Sequence, residues 1–254
     1  MQFVSSGLNR FGEVESLNAI NNYMVRHMVK IYEDNGLPFV DSKWIVERNH
    51  IQNSLQLEVT RLLKEANHSW AIEQIEAPTM IPNHLVSAEY NDQDVFRTQD
   101  FTLKPETTNS SYEYARYMLE HQTTKPPLCI WQASKSYRRE NDQVSANVRL
   151  KEFYQQEFQC IYTEDTKKDY HDLVQPLADY LSWLLGTPTR VVPSDRLPSY
   201  SEITLDIEAL TPHKWLEVCS ISKRTDVPFD WQGKNLLNTE FAFGLDRLTY
   251  VRMK

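Results

Sequence analysis

Two arginines and a phenylalanine near the middle of the chain have the spacing needed to bind a nucleotide. Ser136-Tyr-Arg-Arg-Glu140 is followed, after a polar loop, by Arg149-Leu-Lys-Glu-Phe153. Alternate side chains of a strand share a face, so Arg138 and Glu140 point the same way and Arg149 begins the return strand of a hairpin. Guanidinium groups suit triphosphate and an aromatic ring suits a base. By itself, the Arg-Arg-Glu triplet is more typical of a solvated charged hairpin.

A second candidate is Gly244-Leu-Asp-Arg247, at the junction of a predicted strand and a predicted helix. Glycine permits a close backbone approach there, and Arg247 in the first helical turn can project over the sheet. Alone, this tetrapeptide is also typical of an ordinary helix start. The chain has only 6 glycines, so side chains rather than a glycine-rich loop must hold any nucleotide.

Both helices and strands are predicted around these residues. Apolar residues recur at helical spacing in residues 14–34, about 52–67, 108–121 and 169–185. Strand patterns occur at 70–77 (ending at Pro78), 128–133, 153–162, 202–208 and 215–222, and a last strand leads into a C-terminal helix. Strands and helices do not alternate regularly, so we predict an α+β fold with a largely antiparallel β-sheet flanked by helices.

The composition favours one soluble domain. We expect residues 1–254 to form a single domain in which residues 1–50 are a helical N-terminal extension. The net charge of -8 and the absence of a basic stripe argue mildly against extensive contact with a long nucleic acid, although a local basic face would be compatible with them. The three cysteines have neither metal-site nor disulfide spacing. With no signal segment and no membrane-length apolar run, we expect a cytoplasmic protein without membrane contact.

Three segments, taken together and in this order, resemble the signature motifs of class II aminoacyl-tRNA synthetases. Pro78 after Ile72-Glu-Gln-Ile-Glu-Ala resembles motif 1, and Phe243-Gly-Leu-Asp-Arg247 resembles motif 3. Between them, Tyr137-Arg-Arg-Glu140 with Arg149-x-x-x-Phe153 resembles motif 2. The resemblance covers roughly residues 50–254 and implies the catalytic core of that class. Motif 1 further implies a homodimer, because it normally builds a two-fold interface.

Other segments resemble glycyl-tRNA synthetase, a class IIa enzyme. Lys104-Pro-Glu-Thr107 is similar to its Arg-Pro-Glu-Thr segment, and Arg149-Leu-Lys-Glu-Phe-Tyr-Gln-Gln-Glu157 is similar to its motif 2 continuation. The strand from Trp215 through Glu217 to Arg224-Thr-Asp226 resembles its Trp-x-Glu strand, which ends in Arg-Thr-Asp.

The resemblance implies roles for individual residues in ATP binding. Arg138 would hold the α-phosphate, Arg149 the γ-phosphate, and Phe153 would stack on adenine. Arg247 would cover the other adenine face or reach the γ-phosphate. The implied ATP-binding set is completed by Glu217, and the implied catalytic set is Arg138, Glu140 and Arg247.

The implied amino-acid site is rich in carboxylates, which suits a substrate ammonium group. Its residues are Glu106, Glu157, Glu240 and Ala242, and the best candidates for Mg²⁺ are Glu217 and Glu240. Two features depart from the glycyl pattern. Glu240-Phe-Ala242 stands where that family usually has Glu-Pro-Ser, so a hydroxyl near the small substrate is missing. Only seven residues follow Arg247, so we expect no anticodon-binding domain.

The resemblance therefore implies ATP-dependent amino-acid activation, with formation of an aminoacyl adenylate and release of pyrophosphate. No protein nucleophile takes part in such a displacement. We expect glycine or another small amino acid as substrate, and a tRNA acceptor end or a non-tRNA molecule as acceptor. The alternative is a catalytically inactive, synthetase-like accessory subunit of a nucleic-acid-processing complex, which would show no amino-acid-dependent pyrophosphate exchange.

Overall fold

The computed structural model describes residues 32–140, 148–164, 170–195 and 197–254. Its elements are, in chain order, β1 (Tyr32–Asp34), β2 (Leu37–Phe39), α1 (Ser42–Ala66), β3 (Ala71–Gln74), β4 (Met80–Pro82), β5 (Phe101–Leu103), α2 (Thr108–Glu120), β6 (Leu128–Tyr137), β7 (Glu152–Tyr162), α3 (Val174–Leu185), β8 (Thr189–Pro193), β9 (Ser201–Leu210), β10 (Trp215–Arg224), β11 (Asp230–Trp231), β12 (Lys234–Asn235), β13 (Leu237–Gly244) and α4 (Leu245–Arg252). Short 3-10 turns lie at Asn83–Leu85 and Tyr170–Leu173.

Seven strands form the central sheet, in the order β3-β6-β7-β13-β10-β9-β8. Neighbouring strands are antiparallel except β3 and β6, which run parallel. Strand β13 comes last in the sequence but lies inside the sheet, between β7 and β10. The predicted α+β fold with a largely antiparallel sheet is confirmed.

The two faces of this sheet differ in polarity because side chains alternate along each strand. On one face, large apolar residues such as Phe158 and Phe241 pack with helices α1, α3 and α4 in the main core. Helix α1 supplies Ile51, Leu55 and Val59, at the spacing of one helical face. On the other face the middle strands carry polar residues, and α2 packs against β6 and β7 at one end.

The N-terminal part of the described chain differs from the sequence-based expectation. Residues 14–31 of the first predicted helix lie outside the described residues, but Tyr32–Asp34 form a strand, so the predicted helix end is wrong. Asn35 and Gly36, with φ angles of 53° and 85°, turn the chain into β2. Helix α1 begins at Ser42 rather than near residue 52, because the Asp41 side chain accepts a hydrogen bond of 2.9 Å from Trp44 N and caps it.

Other elements differ in extent. Strand β6 continues to Tyr137 rather than ending at residue 133, and β10 continues to Arg224 rather than ending at residue 222. The predicted 169–185 helix is a 3-10 turn followed by α3. Strands β4, β5, β11 and β12 have two or three residues, too few to give a period-2 pattern, and were not predicted; the five-residue β8 was not predicted either. Within the described ranges, no helix is both long enough and apolar enough to cross a membrane.

Candidate active site

A cavity of about 350 Å³ lies over the polar face of the sheet. All ten residues singled out in the sequence line it, namely Glu106, Arg138, Glu140, Arg149, Phe153, Glu157, Glu217, Glu240, Ala242 and Arg247. They come from segments spread over most of the described chain, so folding brings together what the sequence separates.

Strand register arranges the cavity floor in two rows of side chains. In the first row, Asp206 of β9 pairs with Ser220 of β10, which pairs with Ala242 of β13, which pairs with Glu157 of β7. Residues paired directly across antiparallel strands point to the same face, so one row crosses four strands.

The second row runs parallel to the first, two residues along each strand. It contains Thr204, Ser222, Glu240 and Gln159. The alternate residues on the same strands, such as Phe158 and Phe241, belong to the core on the other face. Apolar alternation therefore fixes which face the polar residues of both rows occupy.

Three carboxylates form the acidic end of the cavity, beside the start of helix α2. The Glu157 carboxylate accepts hydrogen bonds from Thr107 N, at 3.0 Å, and from the Thr107 hydroxyl. The Glu240 carboxylate accepts one of 2.7 Å from the Thr108 hydroxyl. Glu106 accepts one of 3.1 Å from the Tyr90 hydroxyl through Oε2, while its buried Oε1 has no hydrogen-bond partner. The helix N-terminus thus satisfies two of the carboxylates and leaves acceptor capacity on the third.

The sequence did not single out the buried arginine that accompanies these carboxylates. Arg224, at the end of β10, is fully buried and donates to Glu240 at 2.8 Å and to Asp226 at 2.7 and 2.9 Å. Its guanidinium lies 3.8 Å from the centroid of the Tyr200 ring, another cavity-lining residue that the sequence did not single out. The Arg-Thr-Asp likeness was the available signal, but a lone strand-end arginine normally lies in solvent.

One buried arginine does not neutralise the acidic end. Burial, followed by the neighbouring Glu240 and Glu106 carboxylates, raises the pKa of Glu157 to about 8. Burial also raises the pKa of Glu106, against the opposing effect of Arg224. Carboxylates whose pKa values are raised in this way favour a bound cation, because it would stabilise their ionised form.

The hairpin arginines also line the cavity, and Arg138 lies next to the acidic end. Arg138 follows β6 directly, and its Nε donates to the Pro105 carbonyl at 3.0 Å. Its guanidinium carbon lies 5.3 Å from the Phe153 ring centroid and 5.5 Å from that of Tyr90. Tyr90, which was not predicted, therefore contacts both Arg138 and the acidic end.

Glu140 and Arg149 form an ion pair at the mouth of this hairpin. Arg149 is about half exposed, whereas the Glu140 side chain is mostly buried. The Glu140 carboxylate thus contacts the Arg149 guanidinium, and the catalytic role expected for Glu140 stays a prediction.

Arg247 lies in the first turn of α4, as expected from the sequence. Its Nε donates to the Val148 carbonyl at 3.0 Å, and its Nη1 lies 3.2 Å from both the carbonyl and the carboxylate of Glu217. A Cβ atom at Gly244 would stand 3.4 Å from Arg247 Cδ, an ordinary van der Waals contact, and the φ angle of -78° suits any residue, so the expected need for glycine at this position is not borne out.

The two magnesium candidates do not form one site. Glu240 pairs across the sheet with Ser222, whereas Glu217 lies five residues away along β10. That is roughly 16 Å along a strand, while two ligands of one Mg²⁺ lie within about 4 Å of each other. Both carboxylates also pair with arginines. The described residues contain no cluster of three or more metal-ligating side chains. Glu217 and Glu240 therefore cannot hold one shared ion, and the role of either residue as a ligand of phosphate-bound Mg²⁺ stays a prediction.

Comparisons with known proteins agree on one family. The family model for the tRNA synthetase class II core domain (G, H, P, S and T) matches residues 87–235. The glycine–tRNA ligase of Mycoplasmopsis synoviae is 28% identical over 154 residues, which cover 59% of this chain and 32% of that protein. The enzyme of Macrococcus caseolyticus is 30% identical over 136 residues, covering 51% and 29%. The chain thus spans about a third of the length of these relatives.

Solved structures share the fold. A prolyl-tRNA synthetase from Cryptosporidium parvum, complexed with halofuginone and AMPPNP, has a TM-score of 0.67 at 16% identity, over 94% of this chain and 52% of that one. The RNA binding domain of a threonyl-tRNA synthetase from Cryptosporidium parvum has a TM-score of 0.69 at 12% identity, over 88% and 68%. Since the family model covers more than half of the chain, the chain belongs to the class II tRNA synthetase core family.

Proposed function

We propose that this chain activates an amino acid with ATP. A carboxylate oxygen of the amino acid attacks the α-phosphorus, the bond from that phosphorus to the bridging oxygen of the β-phosphate breaks, and pyrophosphate leaves. The observation that carries the proposal is one cavity in which three buried carboxylates face an arginine-lined end, in a chain of the synthetase core family.

The acidic end suits the substrate ammonium group. Glu106 Oε1 is buried 4.0 Å from Arg224 Nη2 and has no hydrogen-bond partner, and the pKa of Glu157 is raised by burial and then by the negative charges of Glu240 and Glu106. An ammonium group placed between Glu106, Glu157 and Glu240 would donate to the Glu106 oxygen and would stabilise the ionised form of Glu157. The Ala242 methyl lies beside this end, in the row of Glu157, and adds no polar contact to the substrate; the choice of glycine or another small amino acid is supported by the likeness to glycine–tRNA ligases.

The basic end suits ATP. Phe153 offers a ring face to adenine, with Arg247 across the cavity, while Arg138 stands between that region and the acidic end and so suits the α-phosphate. Arg149, oriented by Glu140, suits the γ-phosphate. Fixed guanidinium charges stabilise the pentavalent phosphorus without reorganising, and their role in the step is electrostatic.

We extend the proposal to the partners. The activated amino acid passes to the acceptor end of a tRNA or to another acceptor, in a cytoplasmic homodimer built through α1 and the segment leading to Pro78. Exposed Val46 and Leu57 on α1 support such an interface. A monomer in light scattering would refute the dimer.

Amino-acid-dependent ATP–pyrophosphate exchange tests the reaction, with each amino acid supplied in turn. Arg138→Ala should lower the exchange rate by about 10²- to 10³-fold, as for loss of one charge-stabilising group. Arg139→Ala is the matched control, because its guanidinium lies near Phe96 and does not line the cavity. No exchange with any amino acid, in protein shown to be folded, would refute activation and favour the accessory-subunit alternative.

A further inference from the structure

Asp206 is a buried carboxylate on the cavity floor that the proposed reaction does not yet use. It lies on β9 at the far end of the first row and is 8% exposed. Its Oδ1 is buried without a hydrogen-bond partner, although the residue lines the cavity. A buried carboxylate oxygen left without a donor is costly, so it points to a donor that arrives with a ligand.

The surroundings of Asp206 show which chemistry is missing. The Ser194 and Ser220 hydroxyls lie close enough to its carboxylate to lower its pKa, but burial has the larger, opposing effect. Ser220 also lines the cavity and pairs with Asp206 across the sheet, and its hydroxyl oxygen can accept a hydrogen bond. Burial, followed by the nearby Glu217 carboxylate, raises the pKa of Asp206. Asp206 Oδ1 is therefore an unfilled acceptor in the cavity with the Ser220 hydroxyl beside it, and a ligand that carries hydrogen-bond donors would fill it.

We infer that Asp206, with Ser220, is a substrate-binding subsite that accepts hydrogen bonds from a group with two donors. The inference rests on the proposed function. Asp206 lies two strands from Ala242, or about 10 Å, and hence beside the acidic end rather than in it.

Two substrate groups carry such donors within that distance. One is the ribose diol of ATP, which lies between the adenine at Phe153 and the α-phosphate at Arg138. The other is the polar side chain of an amino acid whose ammonium group is held by Glu157 and whose side chain crosses the Ala242 methyl.

Asp206→Ala and Asp206→Asn test the subsite, and Glu208→Gln is the matched control. Glu208 is two residues further along β9, pairs with Arg190 and does not line the cavity. Calorimetric titration with ATP, 2′-deoxy-ATP and 3′-deoxy-ATP measures the ribose contribution. Pyrophosphate exchange with each amino acid measures the side-chain contribution.

If the ribose is the donor, a deoxy analogue should bind wild type about 10- to 100-fold more weakly than ATP, and Asp206→Ala should abolish that difference. If the side chain is the donor, Asp206→Ala should bind ATP like wild type but lose about 10- to 100-fold in exchange with the preferred amino acid relative to glycine. Asp206→Asn should lie between wild type and Asp206→Ala.

Asp206 variants that match Glu208→Gln in both assays would overturn the subsite while leaving amino-acid activation intact. Wild-type protein that binds no ATP and supports no exchange would instead overturn the proposed function, and the subsite with it. A urea unfolding curve for each variant shows whether it is folded.

Discussion

Arg224 and Glu240 form an ion pair with both partners buried, 0% and 7% exposed, and a nitrogen–oxygen distance of 2.8 Å. Arg224→Met removes the cation and leaves Glu240 and Asp226 without it. Breaking a buried pair from one side costs about 3–5 kcal/mol of unfolding free energy, because a buried charge is left uncompensated. We therefore expect Arg224→Met to destabilise the protein by about that amount.

Glu240→Gln should cost less, because Asp226 still pairs with the guanidinium and the amide still accepts from the Thr108 hydroxyl. We expect a loss of about 1–3 kcal/mol, the cost of weakening hydrogen bonds to a charged group. In the double variant a neutral glutamine replaces Glu240, so Arg224→Met leaves no uncompensated charge at that position and the two losses should not add. The expected coupling is about 1.5–3 kcal/mol.

Urea unfolding of wild type, both single variants and the double variant measures this coupling. The control is the same cycle on Arg61 and Glu65, a 2.6 Å pair on the surface of α1 whose side chains are 49% and 62% exposed. Exposed helix pairs contribute below about 0.5 kcal/mol. A coupling energy for Arg224 and Glu240 no larger than that of the surface pair would refute the expected energetic coupling between the two buried residues.

Two further predictions concern other buried carboxylates. Because the pKa of Glu157 is raised to about 8, amino-acid affinity measured by calorimetry should rise as pH increases toward that value, and Glu157→Gln should remove the trend; a flat wild-type profile would contradict this. The same shift means that the folded protein holds a proton that the unfolded chain releases, so the contribution of Glu157 to stability falls between the unfolded pKa of 4.5 and about 8. Trp44 Nε1 donates to the buried Asp246 at 3.2 Å, so Trp44→Phe should lose about 1–3 kcal/mol in urea unfolding. Trp183→Phe, at a side chain that is 73% exposed, should lose almost no unfolding free energy. Equal losses in the two variants would contradict the view that the hydrogen bond to Asp246 causes the loss at Trp44.

Local patterns in the sequence indicated six of the seven strands of the central sheet, and alternation within them indicates the face that is buried. In β7, Phe158 and Cys160 alternate with Glu157 and Gln159, and the structure places the first pair in the core and the second on the polar face, where Glu157 lines the cavity and Gln159 is buried against Glu240. The order of the strands could not be predicted, because Ala242 pairs with a residue of β7 far away in sequence. Period-2 alternation specifies a face but not a neighbour.

The site residues divide in the same way. Arg138, Arg149 and Phe153 stand in one hairpin, so their proximity followed from spacing. The direction of Glu217 could not be predicted from alternation alone, because a bulge between Glu217 and Cys219 shifts the register of β10 and brings Glu217 opposite Glu208. Tyr90 and Tyr200 lie outside the sheet strands, where no periodicity indicates direction.

The central position of β13 affects how the chain acquires its site during synthesis. Strands β7 and β10 are complete well before β13, yet each pairs with it along one edge. Until residues 237–244 have been made, those edges have no partner in this sheet, and neither Glu240 nor Ala242 is present. Such long-range pairing folds slowly and leaves strand edges open to other chains. Binding competence should therefore appear abruptly and late on the ribosome, and truncated products should aggregate rather than retain partial affinity.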